Sequence, residues 1–270
     1  MGPILFSVTL FVGLDSPGTE VTRMAAIAVL MATWWITDAI PLSATALLPL
    51  VMYPVLGIMR TRECAPIYVN SIIFLFIGGF MIAVTMEKWR LHKRIALWII
   101  RWLGGGPSRI ILGFMVAAAF LSRWISNTAT AIMMVPIAMA IIFQLEERFG
   151  ENACHPFTVA LMLGIAYACS LGGMATLVGT PPNLSFARIF EITFPNAEPI
   201  AFGQWLVMAL PITLVMLTIV WLLLTRVFFR FGKSFEVDRG VVQREYAALG
   251  GMSFEERAVL VVFAATAFGW

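Results

Sequence analysis

The 270-residue chain is 60% hydrophobic and 12% charged, with a formal net charge of +3 and a mean hydropathy of +0.91. A soluble domain of this size carries about 25% charged residues, so a water-facing globule is excluded and lipid must be the solvent for much of the surface. Cys64, Cys154 and Cys169 are too widely spaced for a metal-ligand pattern or a disulfide framework.

The apolar run over residues 4–14 is shorter than the roughly 20 residues of a spanning helix. The opening segment has no basic n-region and no small-residue cleavage motif, so it does not read as a signal peptide. Residues 24–40 and 42–59 form apolar stretches separated by a bend at "TDAIP", where Asp38 is positioned to cap the following helix. Residues 71–86, "SIIFLFIGGFMIAVTM", make a third span, and Gly78-Gly79 would allow close helix packing. Next comes "EKWRLHKRIALWIIRWLGGGPSR". It interleaves basic residues with Trp89, Trp98 and Trp102, the pattern of a helix lying in the membrane interface, basic face to water and aromatic face to lipid.

Residues 110–143 are apolar except for "SNT" at Ser126, Asn127 and Thr128. One helix of that length would be about 50 Å long, well beyond the roughly 30 Å hydrocarbon core. A re-entrant hairpin with its tip at the polar cluster fits better. A polar loop, "QLEERFGENACHP", is expected next. Residues 157–171 are apolar again, and the helical pattern then collapses at "SLGGMATLVGTPPNLS", with a short helix following from residue 184. Residues 205–229 form a full span, residues 230–257 read as polar and loop-like, and a further span begins at 258 and stops short. Both ends look clipped, which points to the N-terminal piece of a longer membrane protein. No repeat at a period of 20–50 residues is found. The expected organisation is thus scaffold-type spans over 1–86, an interfacial region over 87–109, a hairpin-plus-broken-helix region over 110–204, a span over 205–229, a cytoplasmic segment over 230–257 and the start of a span over 258–270.

The basic residues around 88–109, at Arg148 and over 226–257 fall on one side of this layout. Only Arg23, Arg60, Arg62 and Arg188 fall on the other, and Arg123 fits neither. The positive-inside rule makes the first side cytoplasmic, with the hairpin and interfacial helix facing the cytoplasm. The charge bias therefore reads as membrane orientation and not as a nucleic-acid footprint.

Irregular backbone at membrane depth is tolerated only where protein buries it or where it lines a cavity. Paired interruptions are the best sequence pointer to a transport site. Here they are the tip at residues 126–128 and the break at residues 179–183. A helix end with free carbonyls suits a cation, and a helix start with free N–H groups suits an anion. Ser122 and Ser126 are one turn apart, so their oxygens can share a face. Asn127 offers an acceptor oxygen to a small hard cation, while Thr128 and the following N–H groups face an anion. The competing structural roles are interhelical hydrogen bonding and N-capping for the Ser-Asn-Thr cluster, and a simple helix-breaking loop for "GTPPN".

At these residues the chain resembles the divalent anion–sodium symporter family, which includes sodium-coupled dicarboxylate and citrate transporters. "SNT" resembles the first of that family's two Ser-Asn-Thr signatures, and "SLGGMATLVGTPPN" resembles its other N-terminal signature. "FLFIGGFMIAVTMEKWRLHKRIAL" and "WWITDAIPLSATALLPL" are similar to its flanking spans, and the likeness covers nearly the whole chain. The resemblance implies an all-α polytopic membrane protein, the first inverted repeat of a dimeric elevator-type transporter. It implies a sodium ion held by Ser122, Ser126, Asn127 and Gly179, partly through main-chain carbonyls. It also implies a substrate carboxylate met by Asn127 and Thr128, with Thr180 and Pro181 nearby. The family's second hairpin and second Ser-Asn-Thr do not occur in this sequence, and Arg123 stands where the family usually has an apolar residue. Arg123 either pairs with the anionic substrate or turns away onto helix carbonyls.

The functional expectation is a secondary active transporter in the cell (inner or plasma) membrane, coupling sodium to uptake of succinate, malate or citrate. Its expected partners are a small anion, lipid and a second copy of the full-length chain. The alternatives are a sodium-independent anion exchanger or sulfate carrier of the same fold, and a non-transporting membrane scaffold. An intramembrane enzyme would need a nucleophile with a base or a metal cluster, and the apolar spans show neither.

Overall fold

The computed structural model describes residues 1–13, 19–69, 71–103, 106–229, 231 and 240–269, and every regular element among them is helical. The chain divides into two units, Met1–Phe74 and Leu75–Trp270.

The first unit holds α1 (Gly2–Val12), α2 (Glu20–Thr37), α3 (Leu42–Ala46), α4 (Leu48–Val55) and α5 (Thr61–Tyr68). Thr19 caps α2 by accepting from the Thr22 N–H at 3.4 Å, and Glu20 complements the helix dipole in the first turn. At the other end Asp38 adopts a left-handed conformation (φ 48°) and its N–H donates to the Trp34 carbonyl. Asp38 therefore closes α2 and does not cap the next helix, whose N-cap position is Pro41. The reason is local: Pro41 disfavours helical backbone at residue 40, and a left-handed turn is easier for Asp than for most residues. The span expected over 42–59 is two short helices meeting at Leu47, with Pro49 in the first turn of α4. Arg23 ties α2 to the end of α4 through a 2.7 Å hydrogen bond from Nη1 to the Leu56 carbonyl.

The second unit contains most of α6 (Ser71–Lys88). It continues with α7 (Leu91–Leu103), α8 (Pro107–Ser122), α9 (Asn127–Phe149), α10 (Glu151–Met174), α11 (Pro181–Thr193), α12 (Phe202–Leu222), α13 (Gly240–Ala248) and α14 (Phe254–Gly269). A π-helical turn, Leu223–Phe228, extends α12. The stretches Asn127–Phe149, Glu151–Met174 and Phe202–Phe228 are long and apolar enough to cross a membrane. α12 buries few of its side chains and exposes Val207, Met208, Ile212 and Val215. An all-round apolar helix with that much exposed hydrocarbon is suited to lipid.

α8 is the centre of this unit and buries Ile110, Ile111, Phe114, Met115, Leu121 and its small residues. Small side chains set the spacing of its neighbours. A Cβ on Gly113 would press on the Ile100 backbone of α7, and one on Gly172 of α10 would overlap the Ala119 backbone. Helices that approach this closely pack backbone to backbone, as small-residue seams do in membrane proteins.

Four expectations change here. "QLEERFGENACHP" is no loop: α9 runs to Phe149 and α10 starts at Glu151, with Gly150 turning the chain at φ +84°. Gln, Leu, Glu and Arg are good helix formers, and Leu145 is buried, so the helix continues through the polar stretch. Gly172 and Gly173 do not break α10; tight packing against α8 outweighs their poor helix propensity. Residues 240–248 are helical, although the segment 230–257 reads as loop from its polarity. Finally, α7 does not turn its basic residues uniformly to water. Trp98 and Trp102 are exposed as expected, but His92 and Arg94 are buried. Arg230, Lys233, Arg239 and Trp270 lie outside the described residues.

The burial of Arg94 has a specific partner. Its Nε and Nη2 each lie 3.0 Å from a carboxylate oxygen of Glu256, and the pair is almost wholly enclosed. Nη1 and Nη2 also donate to the carbonyls of Gly250, Leu249 and Gly251. Glu256 Oε2 accepts from the Ser253 N–H at 2.8 Å and Ser253 Oγ accepts from the Glu256 N–H, so the same carboxylate caps the start of α14. Burial pushes the Glu256 carboxyl up, but the Arg94 and Ser253 hydrogen bonds outweigh it and hold it below the usual carboxylate range.

Candidate ion and substrate site

The two interruptions of the second unit sit against each other. α8 ends at Ser122, with Arg123 as its C-cap, and α9 opens at Asn127, with Ser126 as its N-cap. α10 ends at Met174, residues 175–180 are irregular, and Pro181 and Pro182 open α11. Proline suits a helix start because its missing N–H would have no intrahelical partner there. The prolines that argue for a break thus mark the first turn of the next helix.

Cross-bonds hold the two breaks together. Thr176, fully buried, donates its hydroxyl to the Arg123 carbonyl at 2.5 Å. Asn183, also buried, donates through Nδ2 to the carbonyls of Gly173 (3.0 Å) and Thr176 (2.8 Å). A Cβ on Gly179 would strike the Gly173 carbonyl, and one on Gly173 would strike Asn127 Oδ1. The chain of close approaches therefore runs from Asn127 through Gly173 to Gly179.

Ser122 supplies the chemistry at the start of that chain. Its Oγ is fully buried and lies 2.5 Å from both Asn127 Oδ1 and the Cys169 carbonyl. A hydroxyl has one proton to donate. Three oxygens thus converge on one proton, an oxygen-rich and donor-poor arrangement of the kind a small hard cation satisfies.

Of the residues singled out in the sequence, Ser122, Asn127 and Gly179 are brought together in this way. Ser126 is not on one helical face with Ser122, because the helix ends between them. Ser126 is exposed, and its Oγ accepts from the Ala129 N–H at 3.2 Å as an N-cap. Thr128 is exposed in the first turn of α9, where N–H groups are free of intrahelical partners. Thr180 is the N-cap of α11, half-buried and making no capping hydrogen bond, and Pro181 is exposed beside it. Because Pro181 and Pro182 carry no N–H, the Thr180 hydroxyl is the main polar donor this helix start can offer an anion. Arg123 lies half-buried along its own helix, with Nε 3.4 Å from the Ala119 carbonyl and the guanidinium 5.7 Å from the centre of the Phe120 ring.

Sequence reasoning missed Thr176, Asn183, Gly173 and the Cys169 carbonyl. Asn183 was within reach: it directly follows the prolines, and a buried amide beside a helix start is commonly a hydrogen-bonding brace. Carbonyls carry no sequence signal. Trp124 was also missed as an anchor of the tip; its ring stacks on Phe202 at 6.1 Å and meets Phe263 of α14 edge-on at 5.0 Å.

Membrane-length helices arranged around two interlocked breaks, with buried polar atoms at the breaks, define a polytopic helical membrane protein of the broken-helix kind. A family model described as citrate transporter (CitMHS) matches residues 32–270, and the chain belongs to that family. It is 40% identical over 276 residues to the sodium-dependent dicarboxylate transporter SdcS of Staphylococcus saprophyticus, an alignment covering 100% of this chain and 53% of that protein. It is also 40% identical over 277 residues to the protein of the same name from Staphylococcus aureus, with the same coverage. The chain spans about half the length of these curated relatives. Family and relatives are transporters, not enzymes.

Proposed function

We propose that this chain forms the first half of the ion and substrate site of a secondary transporter that couples sodium to the uptake of di- or tricarboxylates. The observation that carries this reading is the set of three oxygens converging on one proton at Ser122, Asn127 and Cys169. Sodium would take its ligands from Ser122 Oγ, Asn127 Oδ1 and nearby carbonyls, with Gly179 at the far edge and Ser126 released from its cap. Neutral oxygens suffice for a monovalent cation. An ion bound there would fix the Asn127 side chain and place its positive charge beside the start of α9. A substrate carboxylate would then meet the free N–H groups of that helix start with Asn127 and Thr128, and Thr180 and Pro181 across the break. This gives a physical reason for coupling: each charge screens the other, so neither binds as well alone. The family resemblance adds an elevator movement, a homodimer and a hairpin entering from the cytoplasmic side.

The test uses the purified chain in lipid nanodiscs. Thermal stability is measured in sodium chloride and in choline chloride, with and without succinate, citrate or sulfate. Sodium should stabilise the protein, Asn127→Ala and Ser122→Ala should each lose that response, and a dicarboxylate should add stability only when sodium is present. A sodium-independent response to dicarboxylate or sulfate would replace this reading with the exchanger or sulfate carrier. No response to any ion or anion would leave a non-transporting scaffold.

A further inference from the structure

A second polar place lies behind the tip, on the side of α9 that faces α7. Thr130 is one turn past Ser126, is 1% exposed, and its hydroxyl has no hydrogen-bond partner among the described residues. His92, at the start of α7, is likewise buried, and its Nδ1 lies 2.8 Å from the Met86 carbonyl. A carbonyl only accepts, so Nδ1 carries the proton and Nε2 of the neutral ring is a bare acceptor. Both residues line one small cavity with Glu87, Ile125, Ala129 and Met133.

The cavity measures about 10 Å³, close to the minimum that holds a single water. A buried hydroxyl without a partner, with an imidazole acceptor on the wall of the same water-sized space, is what an internal water satisfies. A bare threonine hydroxyl beside Ile125, Ala129 and Met133 is costly, whereas one water can donate to His92 Nε2 and bond Thr130 Oγ1 at once. The ring must stay neutral for this. Burial pushes its titration below the ordinary histidine value of 6.5 despite the Met86 bond, and the charges that act on it are Glu87, Arg90 and Lys93. The residues of α9 that line the cavity carry no charge.

We propose that His92 and Thr130 bind one structural water, which bridges the start of α7 to the first turns of α9 and fixes the rotational setting of the helix that carries Asn127 and Thr128. The site is independent of the sodium reading, since neither residue touches the oxygens at Ser122. It would make α7 part of the support of the tip and not only a strip lying along the membrane.

The chain has two histidines, which makes the test direct. The full chain carrying His155→Gln is labelled with ¹⁵N-histidine in nanodiscs, so that one ring remains. At pH 7.5 the spectrum should show the Nδ1–H tautomer and magnetisation transfer from a long-lived water to Nε2. Thr130→Ser should keep the water signal, and Thr130→Val should lose it while the Nδ1 signal stays in place. A ring without the water transfer, the opposite tautomer, or a transfer unchanged in Thr130→Val would overturn the proposal. A signal that appears only on adding sodium would overturn it too, by assigning the cavity to a cation. Should Thr130→Val not fold, the tautomer and water transfer of the His155→Gln protein decide the matter alone.

Discussion

Replacing Glu256 by Gln isolates the buried ion pair that joins α7 to α14. The substitution removes a charge whose two oxygens face Arg94 at 3.0 Å and leaves the guanidinium enclosed. Removing one partner of a buried pair typically costs about 3–5 kcal/mol. Arg94 keeps the carbonyls of residues 249–251, and Gln retains one acceptor oxygen, so the expected cost is near 3 kcal/mol at the low end of that range. Arg94→Met should cost as much or more, because the Glu256 carboxylate then keeps only the Ser253 N–H. The double variant, Arg94→Met with Glu256→Gln, should be less destabilised than the two single changes added together, since no buried charge is stranded. The assay is reversible unfolding in mixed micelles, followed by tryptophan fluorescence, as a double-mutant cycle. The pH dependence gives a second check. Glu256 is held below its ordinary value of 4.5, so its contribution is present above that value and is lost as pH falls through the lower, folded value. The difference between wild type and Glu256→Gln should therefore be constant near neutrality and shrink under acid conditions. Strictly additive single changes, or a difference that does not shrink in acid, would refute the account.

Three further outcomes follow from the packing of the second unit. Gly172→Ala drives a Cβ into the Ala119 backbone and should cost about 1–3 kcal/mol, whereas Gly78→Ala meets open space and should be neutral or stabilising by up to about 1 kcal/mol; equal effects in the same unfolding assay would contradict the spacing argument. Asn183→Ala removes the donor shared by the Gly173 and Thr176 carbonyls and should cost about 1–3 kcal/mol. Asn183→Asp should be worse, since a carboxylate would face those carbonyls without a proton, and a milder Asp variant would mean that the amide does not donate as described. Arg123→Met should leave sodium-dependent stabilisation unchanged, because the guanidinium lies along its own helix; a tenfold or greater loss of dicarboxylate affinity would instead assign Arg123 to the anion.

Apolar stretches and their interruptions were legible in the sequence because each has a simple cause. Runs such as residues 71–86 leave no face for water, and "GTPPN" cannot continue the helix that precedes it. Misplaced helix ends came from reading glycine and polar residues as stops: packing overrides the first, and good helix propensity carries the chain through the second. Gly172 stays helical because α8 needs the space, and Gln144 to Arg148 stay helical because they are good helix formers and Leu145 is buried. Asp38 was assigned to the wrong helix because a capping residue reads alike from either side of a bend. For the candidate site, side chains such as Ser122 and Asn127, which the structure brings together, could be picked out by residue type. Main-chain acceptors such as the Cys169 carbonyl, and partners 162 positions apart such as Arg94 and Glu256, could not, because distance along a chain says nothing about which buried charge meets which.

The seam of small residues between α8 and α10 has a mechanical consequence. Where two backbones touch with no side chain between them, there is no compressible layer to absorb sliding or rotation. Gly172 against Ala119, reinforced by Ser122 on the Cys169 carbonyl, makes these two helices a single stiff plate. The end of α8 carries the tip and the end of α10 carries the second break, so the plate delivers both interruptions to the same place. Any excursion of one edge must be shared by the other, and flexing is displaced to the plate's borders, at Gly150 and in the turn over residues 123–126.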